Sequence, residues 1–415
     1  MATNKVVHVI GGGTRFHIDS HLYLGSKAMG NTARQIAELY QAHDQTMDVR
    51  LTLTNMADSA SLVDTNEDMK RFVSGLVGNP TTKIVFFNPA IVDFDGSADE
   101  LESGKSAGRL RTSDDAGTPQ TYRLMLTPSE KIVQMIRKER KDIFLVAFKQ
   151  TYGASQEEQY RQGLNMLKRA SANLVLANDG KSKANMIIVP EEATYAVTTD
   201  RDAALQELVE MAYLRSHLTF TRSTVVAGEP VAWESAEVPA SLRAVVDYCI
   251  GRGAYKKVRG VTAGHFAAKL DEKTFLTSRR KTDFNDMRNV GLVKVRTDGP
   301  DSVIAYGSKP SVGGQSQRIV FTEHSEADCI VHFHCEKKPG SRVPTISQRE
   351  YECGSHECGR NTSRGLRCFG NLLAVYLEHH GPNLVFNKDI DPQEVINFIE
   401  ANFDLDTKTG GYAVA

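Results

Sequence analysis

Cys329-Ile-Val-His-Phe-His334 is the stretch on which the reading of this chain turns. Ile330, Val331 and Phe333 favour extended backbone and polar residues close both ends, so a short buried strand is predicted. Side chains alternate along a strand, which sends His332 and His334 to one face and leaves Cys329 and Cys335 as packing residues on the other. Two imidazoles held side by side can share one metal ion, at about 2.0–2.1 Å per nitrogen for zinc. A third imidazole follows in Glu378-His379-His380-Gly381-Pro382, after the apolar run Leu372 to Leu377. Two half-buried core histidines would give the same local pattern, so the rest of the chain must decide.

The chain has 415 residues, 40% apolar and 24% charged, with a formal net charge of −1. That length accommodates more than one core. A near-neutral balance offers no electrostatic case for nucleic acid or membrane binding. No apolar run approaches the roughly 20 residues that span a bilayer. The polar start Met1 to Lys5 does not read as a signal peptide, so a cytoplasmic protein is expected. All six cysteines (249, 329, 335, 353, 358, 368) fall in the C-terminal half and read as reduced thiols.

Towards the N-terminus, Lys5–Ile10 is an apolar strand running into Gly11-Gly12-Gly13-Thr14-Arg15, with a helical pattern from Asn31 to Ala42. A strand, a glycine-rich turn and a helix together bring backbone N–H groups to a phosphate. Strands at Val49–Leu53, Lys83–Phe87, Asp142–Phe148 and Leu174–Ala177 alternate with helices at Asn66–Leu76, Pro128–Lys138 and Gln156–Ser171. A hairpin near Ala184–Thr198 and a helix at Arg201–Arg215 follow. Such alternation predicts a doubly wound, mostly parallel sheet with ligands at the carboxyl ends of its strands. Asp93, beyond one strand, is placed either to hold Mg²⁺ or a ribose hydroxyl, or simply to cap a turn.

Ile10-Gly-Gly-Gly-Thr-Arg15, Ile18-Asp19 and Lys27-Ala-Met-Gly30 resemble the start of phosphopantothenoylcysteine synthetase, the CTP-dependent phosphopantothenate–cysteine ligase family. The likeness continues through Asn88-Pro-Ala-Ile-Val-Asp93, Leu126-Thr-Pro-Ser-Glu-Lys-Ile132, Leu145-Val-Ala-Phe148 and Leu174-Val-Leu-Ala-Asn178-Asp179. It implies a Rossmann-like, three-layer α/β domain that holds CTP, or another nucleotide with Mg²⁺. Gly11, Gly12, Gly13, Thr14, Asp93, Phe148 and Asn178 would then lie at the nucleotide. The family's triphosphate loop has its counterpart in Lys105 to Arg111, with Arg109 and Arg111 in place of lysines and still able to clamp phosphate. The family's Asn-Ser-Ser-Gly segment is replaced by the shorter Leu24-Gly25-Ser26, so the asparagine that handles the acyl-cytidylate is missing.

Periodicity fades between Leu218 and Pro239, where the domain boundary is predicted. A helix from Ser241 to Gly251 and a basic segment from Arg252 to Arg259 follow. From about residue 240 to 402 the chain resembles the class II aldolase/adducin family. Gly264-His265 stands at the family's Gly-Asn phosphate loop, Thr277-Ser278 at its second phosphate-binding turn, and Ser308-Lys-Pro-Ser311 at its Pro-Ser-Ser-Glu segment. The resemblance makes His332, His334 and His380 ligands of Zn²⁺ or another divalent metal, and Gly264, Thr277, Ser278 and Ser311 a substrate-phosphate rim. Arg279, Arg280 and Lys281 would stand beside that rim. The family's catalytic carboxylate position is Gly313, so the expected base is missing. Glu352 and Glu357 are the replacement candidates, in the run Tyr351-Glu-Cys-Gly-Ser-His-Glu-Cys358. This run could alternatively form a second metal site or a Cys/His pair.

The expectation is therefore residues 1–218 as a nucleotide-binding domain, 219–239 as a linker, and 240–415 as an α/β/α metal-binding domain. The expected activity is a zinc-dependent aldolase-type lyase, or a related epimerase or dehydratase, acting on a small phosphorylated or nucleotide-linked substrate. The alternatives are a CTP-dependent ligase-like enzyme with an accessory metal domain, and a non-catalytic adducin-like assembly protein. Both family resemblances imply a homo-oligomer, a dimer or a tetramer.

Overall fold

The computed structural model describes residues 5–99, 101–258 and 260–412; Arg259, the end of the basic segment, lies outside them. The chain divides into one unit up to Ile188 together with Ala196–Ser216, and a second made of Val189–Tyr195 and the chain from His217 onward.

The first unit alternates strand and helix: β1 (Val6–Gly13), α1 (Asn31–His43), β2 (Asp48–Leu53), α2 (Asn66–Gly78), β3 (Thr82–Ala90), α3 (Val133–Glu139). It continues with β4 (Phe144–Thr151), α4 (Gln156–Ala170), β5 (Leu174–Asp179), β6 (Asn185–Ile188), β7 (Thr194–Thr198) and α5 (Arg201–Ser216). The seven strands lie in the order β7-β6-β5-β4-β3-β1-β2. The pairs from β2 to β5 are parallel, and β6 returns antiparallel on β5. Helices α1 and α5 pack together on one face, and α2, α3 and α4 form a row on the other. The fold class is thus α/β with a mostly parallel, doubly wound sheet. Local sequence supports each helix: α1 buries Ala33, Ile36 and Tyr40 at helical spacing, and Thr65 with Asp68 closes a capping box on α2.

The order in which strands are added reverses between the parallel neighbours β1 and β3, so the ligand-binding crevice of a doubly wound fold belongs at Gly11–Gly13 and Asn88–Ala90. The glycine run is not a turn into a helix. It continues the strand, with Gly11 paired to Asn88 and Gly13 to Ala90, and α1 starts only at Asn31. These positions exclude side chains: a Cβ on Gly11 would lie 2.4 Å from Ala33 Cβ, and one on Gly13 would lie 1.8 Å from the Ser26 carbonyl oxygen. The helix expected from Pro128 begins at Val133, because Leu124–Pro128 pairs with Phe94–Ala98 in a two-stranded ribbon.

The stretch read as a linker is corrected by the structure. Its Arg-Ser-Thr-Val-Val forms β8 (Arg222–Val226), an edge strand of the second sheet that runs parallel to Ser302–Tyr306. The β-branched residues explain this; the surrounding glycine and prolines had masked it. The second unit then adds α6 (Ala240–Gly251), β9 (His265–Lys269), β10 (Thr274–Thr277), β11 (Val293–Thr297), β12 (Ser302–Tyr306), α7 (Val312–Glu323) and β13 (Cys329–His332). After these come α8 (His356–Gly365), β14 (Leu372–Leu377), β15 (Gly381–Phe386) and α9 (Pro392–Asn402). The main path of the sheet is β8-β12-β11-β10-β9-β13-β15-β14, mostly antiparallel, with two short strands beyond or on β14. Helices α6 and α9 cover one face and α7 and α8 the other.

Strand β13 sorts its residues between those layers. Cys329 and Val331 enter the core shared with α6 and α9, while Ile330 joins the core under α7. His332 follows Ile330 on that second face. The ladder stops at His332, paired with Asn383, because the next partner is Pro382, which has no N–H to donate.

Candidate metal centre

His332 and His334 come from the end of β13 and just beyond it, and His380 from the turn joining β14 to β15. His379 takes the left-handed conformation there, with φ 56°, and Gly381 has φ 125°. A Cβ on Gly381 would sit 2.2 Å from the Phe333 carbonyl oxygen, so only glycine lets the turn close on the His332–His334 segment. The three imidazoles are buried, and their ligand atoms lie within 4.8 Å of one another. Ring centroids are 4.6–5.0 Å apart.

The donor set suits a divalent cation. His332 Nδ1–H donates to the Pro382 carbonyl at 2.7 Å, which fixes the tautomer and leaves the lone pair on Nε2. That Nε2, like His334 Nδ1, is buried without a hydrogen-bond partner. Burial lowers the His332 pKa to about 4, opposed by the Pro382 hydrogen bond. Burial, then the neighbouring His380 and His332, hold His334 well below the usual imidazole value. Burial thus favours the neutral form of these two rings, the form in which an imidazole binds a metal.

A fourth histidine, absent from the expected ligand set, joins them. His265 on β9 pairs directly with His332 across the ladder, with ring centroids 4.7 Å apart. Gln317 on α7 bonds its Nδ1, and Thr277 Oγ1 donates to the Gln317 amide oxygen at 3.1 Å. Burial, then His332, keep His265 well below the ordinary imidazole pKa. His265 also explains Gly313: a Cβ there would meet His265 Cδ2 at 2.0 Å, so no carboxylate fits where the family carries one. Only register across the sheet brings His265 here, a signal that its own neighbours in sequence do not carry.

The predicted phosphate rim is in part assembled. Ser311 N–H donates to the Ser278 carbonyl at 2.9 Å, which joins the two turns. The Ser278 hydroxyl is buried with no hydrogen-bond partner, whereas that of Thr277 is engaged by Gln317. Gly264 has φ 108° and packs its α-carbon toward the His332 carbonyl. Arg279 instead donates to the Val290 carbonyl at 2.8 Å.

Neither proposed base lines the cavity of about 10 Å³ beside the histidines. Glu357 caps the Thr219 N–H at 2.9 Å, and from this run Cys353 and Cys358 form the wall instead. The reason is helical: Glu357 lies in the first turn of α8 and turns to an orphan backbone donor. His356 leaves the two cysteines to bond Thr221 Oγ1 at 2.8 Å, so no second metal site forms there. Among the described residues the three-histidine group is the one cluster of possible metal ligands. All six cysteines are free, and burial raises the Cys335 thiol to about 12.

In the first unit the expected nucleotide residues have mixed fates. The Thr14 hydroxyl donates to Asn66 at 2.7 Å and accepts from Val92 N–H at 2.9 Å, a brace between β1 and the next loop. Asp93 is exposed and pairs with Lys131 at 2.5 Å. Arg109 is exposed, and Arg111 pairs with Asp115 at 2.9 Å. Phe148 and Asn178 are half-buried near the carboxyl ends of β4 and β5. The structure also gathers Arg15, His17 and Lys105 around buried Asp64, at 2.6, 3.1 and 3.1 Å. Burial pushes the Asp64 carboxyl up, but hydrogen bonds from His17, Lys105 and Arg15 outweigh it and hold it below its usual value. Asp179, next to Asn178, is a turn anchor that accepts from Thr151, Ala154, Lys181 and Ser182.

Residues 246–338 match the family model of the Class II Aldolase and Adducin N-terminal domain. The coenzyme A biosynthesis bifunctional protein CoaBC of Thermococcus kodakarensis is 27% identical over 181 residues, 43% of this chain and 42% of that protein. The chain therefore matches less than half the length of this curated relative. Among solved structures, the DNA/pantothenate metabolism flavoprotein from Streptococcus pneumoniae is 16% identical, covering 51% of this chain and 97% of its own, with a TM-score of 0.40. L-fuculose-1-phosphate aldolase from Thermus thermophilus is 19% identical, covering 40% of this chain and 92% of its own, with a TM-score of 0.30. The N-terminal half resembles phosphopantothenoylcysteine synthetase, and the C-terminal half resembles the class II aldolase/adducin family.

Proposed function

We propose that the C-terminal half is a divalent-metal lyase of class II aldolase type, with zinc as the resident ion. Its substrate is a small phosphorylated or nucleotide-linked carbonyl compound, cleaved in an aldol sense or epimerised or dehydrated by related chemistry. The observation that carries this reading is the convergence of His332, His334 and His380 on one buried point. A divalent ion held by His332, His334 and His380 would supply Lewis acidity toward a substrate carbonyl. The chain's own residues do the rest. The Pro382 carbonyl keeps the His332 lone pair on Nε2, and Val320, Ile330, Leu377 and Val385 give the cavity a dry apolar wall. The buried Ser278 hydroxyl, with Ser311 and Gly264, receives the anionic end of the substrate.

Elemental analysis tests this directly. The purified protein should carry about one zinc per chain, and His332→Ala should carry almost none and lose aldol cleavage. A metal-free wild type, with activity indifferent to that change, would favour the adducin-like assembly reading instead.

The N-terminal half, on the same proposal, binds a nucleotide such as CTP with Mg²⁺ near Gly11–Gly13, Asn178 and the Arg15–Lys105 cluster. Its likeness to the Thermococcus relative supports a second reading, that of a CTP-dependent ligase-like enzyme with an accessory metal domain. That reading requires pyrophosphate release that depends on CTP and on an amine acceptor, and it is dropped if none is seen.

A further inference from the structure

His265 lines the same cavity as His332 and His380, but β9 carries it, not the strand and turn that carry the other rings. Its ring centroid lies 4.7 Å from that of His332, yet it is outside the group whose ligand atoms lie within 4.8 Å of one another. The start of α7 explains how the ring is held. Gly313 and Gln317 are four residues apart and so share one face of that helix. Gly313 makes room for the ring: a Cβ there would lie 2.0 Å from Cδ2 and 2.5 Å from Nε2 of His265. Gln317, buried at 2% exposure, meets the other edge of the ring at Nδ1.

The direction of that contact decides where the His265 proton sits. Thr277 Oγ1, on the last residue of β10, donates to the Gln317 amide oxygen at 3.1 Å. The Phe266 carbonyl is the more distant acceptor for this hydroxyl, at 3.3 Å. With its oxygen engaged, the Gln317 amide turns its NH₂ to His265, and Nδ1 accepts. A neutral imidazole whose Nδ1 accepts carries its proton on Nε2. His332 is set the opposite way: its Nδ1–H donates to the Pro382 carbonyl at 2.7 Å, so Nε2 holds a lone pair. Two adjacent rings thus receive opposite tautomers from their partners. One offers a lone pair suited to a cation, and the other an N–H suited to a negatively charged oxygen.

We infer that His265 is a catalytic hydrogen-bond donor, its Nε2–H binding the substrate carbonyl oxygen. The assignment rests on the lyase reading above. Negative charge collects on that oxygen when a bond at the adjacent carbon breaks heterolytically. His265 keeps its proton throughout, forms no covalent bond and is not a metal ligand. A fixed donor in a buried site outweighs its equivalent in water, because no solvent has to reorient as the charge forms. The same ring takes up the space beside Gly313, so a donor stands where the family carries its carboxylate. Gln317 and Thr277 are positioning residues that act through the His265 tautomer.

The test uses the full-length protein throughout. With the histidine nitrogens isotope-labelled, multiple-bond proton–nitrogen correlation spectra identify the His265 tautomer, its signals assigned by their loss in His265→Gln. The Nε2–H form is expected, with or without zinc, and an Nδ1–H form overturns the inference. The binding probe is acetohydroxamate, a small zinc chelator that presents a negatively charged oxygen. Calorimetry on zinc-loaded protein follows its binding, and elemental analysis follows the metal. His265→Leu removes the donor and should keep its zinc while binding acetohydroxamate about 10–100-fold more weakly. His265→Gln places an amide N–H near the Nε2 position and should recover binding to within about threefold of wild type. Unchanged affinity in His265→Leu overturns the inference and leaves the lyase reading intact. Loss of zinc from His265→Leu also overturns it, by making the ring part of the metal's support. Should His265→Leu misfold, the wild-type tautomer decides. A wild type that takes up no zinc brings down the lyase reading, and this inference with it.

Discussion

At the scale of single residues, local spacing was legible and distant partnership was not. His332, His334 and His380 stand out because two short motifs, each complete within a few residues, carry them. His265 and Gln317 come from segments whose closeness exists only once the sheet has formed its register. The glycines show the same division. Gly11 and Gly13 read as a phosphate loop, yet the need for them comes from Ala33 and from the Ser26 carbonyl, packed against β1. One residue effect is open to a pH test. Burial, reinforced by Arg50, lowers His8 from the ordinary imidazole value to about 4. Its folded pKa therefore lies below its unfolded one, and its contribution to stability is complete above about pH 6.5. That contribution drains away as pH falls from there toward 4, because the unfolded chain takes the proton first. Discounted for partial solvent screening, the loss is about 1–3 kcal/mol. Urea unfolding at pH 7.5 and pH 4.5 should show this difference, and His8→Gln should flatten it.

At the scale of elements, apolar periodicity located the strands and helices of the first sheet, because each crossover buries a face at its own period. It failed where an element borrows its stability from a neighbour. The Arg222–Val226 strand holds an edge position through pairing with Ser302–Tyr306, and the Leu124–Pro128 strand exists through Phe94–Ala98. The turn carrying His380 is an element whose fitness depends on one missing side chain. Gly381→Ala would place a methyl 2.2 Å from the Phe333 oxygen at φ 125°. We expect it to destabilise the protein by about 1–3 kcal/mol and to lower zinc content. Matched denaturant titrations and elemental analysis would measure both. Full zinc occupancy in this variant would mean that the turn is not what aims His380.

At the scale of the whole molecule, two folds follow one another in the chain, and no helix among the described residues is long and apolar enough to cross a membrane. The ribbon of Phe94–Ala98 with Leu124–Pro128 leaves Phe94, Leu124, Met125 and Leu126 exposed. A two-stranded ribbon that keeps such an apolar face in solvent offers a surface for association. We propose that the homo-oligomer forms through it. Light scattering should give at least a dimer for the wild type, and Met125→Glu with Leu126→Glu should reduce it to the monomer mass without changing zinc content. A monomeric wild type ends this proposal.

The chain's bookends matter less here than its interleaving. Val189–Tyr195 counts with the second unit although β6 of the first ends just before it and β7 starts within it, at Thr194. No single cut can free the C-terminal half whole: a fragment beginning at His217 would leave seven residues of its own unit behind. Any recombination of the two halves has to carry that small piece along to keep the second unit's residues together.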